Sequence, residues 1–179
     1  MHKQTQAGFT LVELVIVIVL LGLLAVTAFP RYLDVTDQAQ TASVKGVAGG
    51  LASGVAIFKG QWTADGNSSG TEGAVVTLDG ETFIANENGW PTQLTAGGDE
   101  TSDGGSTDEC EEVFNFIMQN PPATHTTGPI GASDEYSVSV QNNNPDLCRY
   151  ELIVNGAIDI DNRFFDYNLA NGQVTLSLP

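Results

Sequence analysis

Apolar residues follow three different periods along this chain. From Phe9 to Phe29 the run FTLVELVIVIVLLGLLAVTAF is almost uninterrupted, with no Lys or Arg and one acid, Glu13. At about 1.5 Å per residue a helix over this run rises about 31 Å, the thickness of a bilayer's hydrocarbon core. The run is too long for a secretory signal and is followed by Pro30-Arg31-Tyr32 rather than a small-x-small cleavage site, so it is expected to stay attached. From Pro30 to about Lys59 apolar residues recur at three- and four-residue steps, which predicts that the helix continues as an amphipathic segment. Val47, Leu51, Val55 and Phe58 are its expected packing face, with Asp34, Asp37, Gln38, Gln40 and Lys45 turned towards solvent or a neighbour. Gly46, Gly49, Gly50 and Gly54 weaken the helix locally and are read as allowing close packing on a sheet.

Beyond Gly60 the period becomes that of strands and turns. Val75–Leu78 and Glu81–Ala85 flank Asp79-Gly80, a hairpin signature. Ser106 and Glu109 form a capping box for a short helix with Cys110, Val113, Phe114, Ile117 and Met118 on one face, stopped by Pro121-Pro122. Strands are predicted over 136–140, 148–154, 157–160, 164–169 and 173–178. The expected fold is α+β: a long N-terminal helix, apolar in its first half, whose second half is wrapped by a sheet of four to six antiparallel strands.

Two features of the first helix carry chemistry. A carboxylate one turn into a membrane helix costs several kcal/mol unless it is protonated or partnered, which makes Glu13 a functional candidate. It is also near enough the helix start to reach the interface and complement the helix N-terminus. Pro30 has no N–H and its ring crowds the carbonyl of Val26, so the helix is expected to kink or open between Gly22 and Pro30, unless the pair is simply tolerated as in many membrane helices.

The short polar leader MHKQTQAG, the motif Gly8-Phe9-Thr10-Leu11-x-Glu13 and the helix after them resemble a type IV prepilin over Met1 to about Gly60. That resemblance implies four parts: a leader over 1–8, a transmembrane and filament-core helix over 9–29, its amphipathic continuation over 30–60, and a β-rich periplasmic or extracellular domain over 61–179. It further implies that prepilin peptidase cuts after Gly8 and methylates Phe9, and that Glu13 attracts the N-terminal amine of a neighbouring subunit. Gly22 and Pro30 match positions where the family's helix loosens in the filament. The implied partners are other copies of the chain in a helical homo-oligomer, the peptidase, the pilus assembly machinery and, before assembly, the inner membrane. After assembly the subunit is expected in an extracellular fimbrium used for adhesion. The segments PRYLDVTDQAQTASVKGVAGGLASGVA, CEEVFNFIMQNPP and FDYNLANGQVTLS are similar to pilins of the mannose-sensitive haemagglutinin (MSHA) type. A type II secretion pseudopilin, or a minor pilin or adhesin subunit, shares the same N-terminus and stands as the alternative.

If the family's topology holds, Cys110 and Cys148 lie in an oxidising compartment and are expected to be bonded to each other, the alternative being two free core thiols. Because 31 residues follow Cys148, the family's usual C-terminal disulfide loop does not transfer directly.

Charge narrows the partners further. Six Lys and Arg stand against 22 Asp and Glu, a formal net charge of −16, and no Lys or Arg occurs between Lys59 and Arg149. No nucleic acid is expected on such a surface. The acidic stretch 99–109 matches a calcium loop at Asp99, Asp103 and Gly104 but not at Thr101 or Cys110, leaving Asp99, Asp103 and Asp108 as a weak calcium candidate against an ordinary solvated loop. Otherwise no cofactor is expected. With His2 and His125 the only histidines, no metal site or catalytic triad is indicated, and the chain is not expected to be an enzyme. Trp62 and Trp90 are aromatic candidates for sugar stacking, set against a buried role.

Overall fold

The structure, a computed structural model, describes residues 9–70, 73–78, 80–94, 106–141 and 147–179. It divides into two compact units, one ending at Gln40 and the other running Thr41–Pro179. The first helix, α1 (Leu11–Ala64), contributes to both.

The β-branched run Val15–Val19 has strand propensity in water, yet it is helical. In a bilayer only a helix satisfies every backbone group within one segment, so the solvent decides against the propensity. The segment Leu11–Ala28 has a mean hydropathy of 2.9 and none of it is buried within the chain. The stretch Val35–Ala64 is less apolar, at 1.3, and 28% of it is buried.

That buried share forms one stripe: Val44, Ala48, Leu51, Val55, Phe58 and Trp62, spaced three or four residues apart and all nearly inaccessible. Val44 and Ala48 therefore take the place expected for Val47, which is only partly buried against the core. The helix also runs past its expected end near Lys59, because Trp62 extends the stripe by one more turn. It stops where Gly66, at a φ of 84°, returns its N–H to the carbonyl of Thr63.

Around the second half of α1 the chain forms two sheets, where one was expected. The first is antiparallel, in the order β1 (Ala74–Leu78), β2 (Glu81–Ala85) and β3 (Pro91–Leu94). Leu78 opposes Glu81 at the hairpin and Gly80 has a φ of 91°; Asp79 lies outside the described residues. The strand β3 was not legible because it is short and begins with proline. Its approach is organised by Asn86, whose side-chain oxygen accepts from the backbone N–H groups of Asn88 and Trp90.

After the second helix, α2 (Thr107–Ile117), come β4 (Thr124–His125), β5 (Tyr136–Gln141), β6 (Leu147–Val154), β7 (Ala157–Ile158), β8 (Phe164–Asn168) and β9 (Val174–Ser177). They make a six-stranded sheet in the order β4-β5-β6-β8-β9, with β7 paired to β6. All pairs are antiparallel except β4 with β5, which is parallel, so the expected uniformly antiparallel sheet is corrected at this edge. The capping box of α2 is present: Ser106 Oγ accepts from the Glu109 N–H, and the Ser106 N–H donates back to Glu109 Oε2 at 2.8 Å. Cys110, Val113, Phe114 and Ile117 are its buried face.

The core joins these layers. Phe58 of α1 meets Phe83 of β2 edge-on at 5.6 Å between ring centroids. Phe114 of α2 stacks on Tyr150 of β6 at 4.8 Å, which stacks on Phe165 of β8 at 5.0 Å. Cys110 and Cys148 are bonded, with a Cα–Cα distance of 5.3 Å, tying α2 to β6.

The glycines of α1 need a different account from the one expected. A methyl group at Gly54 would lie 2.5 Å from Ile117 Cγ2, so this glycine admits the end of α2, not a sheet. Gly46 and Gly49 would meet nothing within 4 Å. Their small size serves no packing within the described chain.

Candidate functional site

The expected site residues at the start of α1 form a compact arrangement. Thr10 occupies the cap position before Leu11, and Glu13 is the third residue of the helix. Glu13 Oε2 accepts from the Thr10 N–H at 2.9 Å and from Thr10 Oγ1 at 2.8 Å, while the Glu13 N–H donates to Thr10 Oγ1 at 3.2 Å. This is a reciprocal capping box, satisfying two backbone donors that the start of a helix otherwise leaves open. It also sets an anionic group against the positive end of the helix.

Thr10 is thus the capping partner of Glu13, a pairing not among the expectations above. Its signal was present: Thr-x-x-Glu has the same spacing as Ser106-x-x-Glu109, which was recognised. Both bonds from Thr10 fall on Oε2, and Oε1 remains for a further donor.

The surroundings are apolar and uncovered. Phe9 is 81% exposed, Leu11 77% and Val26 74%, and all side chains described between them are exposed as well. Thr27 Oγ1 donates to the Leu24 carbonyl at 2.9 Å, so the hydroxyl in this run is satisfied within the helix. A methyl group at Gly22 would meet nothing within 4 Å, and the helical assignment passes through Gly22 and Pro30 without interruption. The single chain is thus helical on both sides of the expected hinge.

The other candidates lie elsewhere. Gly8, Asp99 and Asp103 are outside the described residues; Asp108 is exposed in the first turn of α2, where its charge suits the helix N-terminus. Trp62 is buried and Trp90 half-buried, and the Lys59 ammonium lies 3.8 Å and 5.2 Å from their ring centroids. Their faces are taken by a cation–π clamp. His125 pairs with Asp134 at 3.2 Å and is not grouped with other metal-ligating side chains among the described residues.

The geometry defines an α+β domain carried on a long helix whose apolar first half the chain leaves bare and whose start holds one capped carboxylate. Residues 3–29 match the family model described as the prokaryotic N-terminal methylation motif. The chain is 39% identical over 96 residues to the type IV narrow pilus major component PilA5 of Thermus thermophilus, covering 51% of this chain and 81% of that protein. It is 41% identical over 78 residues to the fimbrial protein EcpC of Eikenella corrodens, covering 42% of this chain and 51% of EcpC. With the type IV major pilin protein PilE of Neisseria gonorrhoeae it shares 43% over 68 residues, 36% of this chain and 41% of PilE. The match thus spans only about half the length of the Eikenella relative. No solved structure gives a significant match. The chain belongs to the type IV pilin family, and the relatives named above are structural pilins, not enzymes.

Proposed function

We propose that this pilin is cleaved after Gly8 and methylated on Phe9 by prepilin peptidase, held in the inner membrane as a single-pass subunit, and then polymerised by the assembly machinery into an adhesive surface filament of the MSHA type. The observation that carries the reading is the bare apolar face of α1 together with its capped Glu13. Such a surface is covered by lipid before assembly and by other helices afterwards. An ionised Glu13 is costly in the bilayer, and the amine of Phe9 from an adjoining subunit is the donor that suits Oε1. Packing identical helices by a repeated head-to-tail operation that does not close gives a helical fibre. The MSHA assignment is supported by the three similar segments quoted above.

Two variants and one analysis test this. Mass spectrometry of sheared filaments is expected to find this chain as an abundant component beginning at N-methylated Phe9; scarcity would point to a minor subunit, and absence to a secretion pseudopilin. Gly8→Asp is expected to leave an uncleaved membrane precursor. Glu13→Val makes the helix more apolar, so insertion and cleavage survive while filament yield collapses. Wild-type yield from Glu13→Val would refute the intersubunit role.

A further inference from the structure

The chain contains three Asn-Gly steps: Asn88-Gly89, Asn155-Gly156 and Asn171-Gly172. At such a step the glycine nitrogen can attack the asparagine carboxamide, because glycine has no side chain to screen it. The attack needs a glycine N–H that is not committed elsewhere, a carboxamide that is not held away, and a backbone that can bring the two together. Only one of the three steps meets all of these conditions.

At Asn88-Gly89 the Gly89 N–H donates to the Asn86 carbonyl at 2.8 Å, and the Asn88 carbonyl accepts from Lys59 Nζ. Gly89 is buried, with the Trp62 ring where a side chain would stand. At Asn171-Gly172 the Gly172 N–H donates to the Asn168 carbonyl at 2.8 Å, and Asn171 Oδ1 accepts from the Gln173 N–H at 2.9 Å. Gly172 lies against Trp90 in the same way, and the step closes the hairpin in which Phe164–Tyr167 pair with Val174–Ser177.

Asn155-Gly156 differs on each point. It is the two-residue turn between β6 and β7, with both residues exposed and φ values of 54° and 76°. Neither the Gly156 N–H nor the Asn155 carboxamide has a hydrogen-bond partner among the described residues. The strand β7 pairs with β6 alone, Ile153 opposite Ile158 and Val154 opposite Ala157, and both its residues are exposed. A ladder this short at a sheet edge opens at little cost. The motion is confined to the tip, because the Asp159 N–H donates to the Leu152 carbonyl at 2.8 Å. The turn around Ile160 is anchored as well: buried Arg163 donates from Nη1 to Asp159 Oδ2 at 2.8 Å and from Nε to Thr41 Oγ1 of α1 at 3.3 Å.

We infer that Asn155 is a self-modification site, at which the folded chain converts asparagine to aspartate and isoaspartate with water as the only co-reactant. The Gly156 nitrogen bonds to Asn155 Cγ and gives up its proton to water, while the Cγ–Nδ2 bond breaks and the amide leaves as ammonia. Water then opens the five-membered imide at either carbonyl. Opening at one gives aspartate; opening at the other routes the main chain through the side chain as isoaspartate. Aspartate tolerates a left-handed φ, so that product keeps the turn and adds one negative charge to a chain of net charge −16. Isoaspartate lengthens a turn whose length sets the register, so that product loses the pairing of Val154 with Ala157.

This inference holds whether or not the chain forms filaments, and its test is made on the full detergent-solubilised chain. One sample is kept folded at neutral pH and another unfolded in denaturant, and peptide mapping follows the mass gained when a carboxamide becomes a carboxylate. In the folded chain Asn155 is expected to convert about tenfold or more faster than Asn88 or Asn171, whereas in the unfolded chain the three converge. Labelling by an isoaspartyl methyltransferase is expected on the Asn155 peptide. Equal rates in the folded chain, as passage through the unfolded state would give, overturn the assignment. So does faster conversion at Asn88 or Asn171, or an Asn155 that stays intact in the folded chain while the unfolded chain converts. Aspartate formed without isoaspartate marks direct hydrolysis and overturns the attack by Gly156.

Discussion

A methyl group added at Gly54 would stand 2.7 Å from the Ile117 carbonyl oxygen, and that backbone cannot move without shifting the end of α2. Gly54→Ala is therefore expected to lower stability by about 1–3 kcal/mol through overpacking. Gly49→Ala, facing open space on the same helix, is expected to raise it by about 0.5–1 kcal/mol through helix propensity. Denaturant unfolding of the two detergent-solubilised variants distinguishes them by the sign of the change. A similar contrast separates two tyrosines. Tyr150 OH donates to the Cys110 carbonyl at 2.7 Å, so Tyr150→Phe is expected to cost about 1 kcal/mol. The Tyr136 hydroxyl is buried; Ser43 is close enough to favour its ionised form slightly, but no hydrogen bond satisfies it. Tyr136→Phe is expected to be neutral or stabilising in the same measurement, because it removes a desolvated group without orphaning a partner.

Among the elements, α2 depends on its ends and its staple more than on its length. It has only 11 residues, too few for an independent helix in water. Ser106→Ala opens the capping box and is expected to cost about 1 kcal/mol. Replacing both Cys110 and Cys148 with serine releases α2 from β6 and is expected to cost about 2–5 kcal/mol, seen as a lower midpoint of denaturant unfolding. Non-reducing peptide mapping of the wild-type chain is expected to show the 110–148 pair linked. The Arg149–Asp166 bridge between β6 and β8 is a bidentate pair at 2.8 and 2.9 Å, with the guanidinium also 3.9 Å from the Phe164 ring centroid. Hydrogen bonding to Asp166 holds the Arg149 pKa above its usual value, so the guanidinium keeps its charge over any ordinary pH range.

For the whole molecule, the buried tyrosines set an alkaline limit. Desolvation pushes the Tyr136 phenol up to about 12, and it raises Tyr150 and Tyr167 as well. Below a pH of about 10, the ordinary phenol value, both folded and unfolded chains keep these protons and stability does not depend on them. Between about 10 and 12 the unfolded chain releases protons that the folded chain retains, so folding weakens as pH rises. The denaturation midpoint is expected to fall through this window, with tyrosinate absorbance from these residues appearing only on unfolding. Absorbance rising well ahead of unfolding, with an unchanged midpoint, would show that the phenols are not desolvated.

The apolar run to Phe29, the switch of period beyond Gly60, the cap at Ser106 and the Asp79-Gly80 hairpin were legible in the amino-acid sequence because each is a local signal: a length, a spacing, or a turn that only certain residues adopt. Glu13 stood out for the same reason, a lone acid in an apolar run. What the chain of letters did not disclose depends on residues distant in sequence. Two sheets instead of one, the parallel pairing of β4 with β5, and β3 with its leading proline follow from how strands compete for partners. That Gly54 is needed while Gly49 is not depends on where α2 ends, 63 residues further along the chain at Ile117. The Cys110–Cys148 bond was expected from the sequence, but that α2 and β6 bring the two within 5.3 Å at Cα is decided by the packed chain. The anchored turn at Ile160 exists because Arg163 reaches back to Thr41, a contact that no periodicity encodes and that only the packed chain creates.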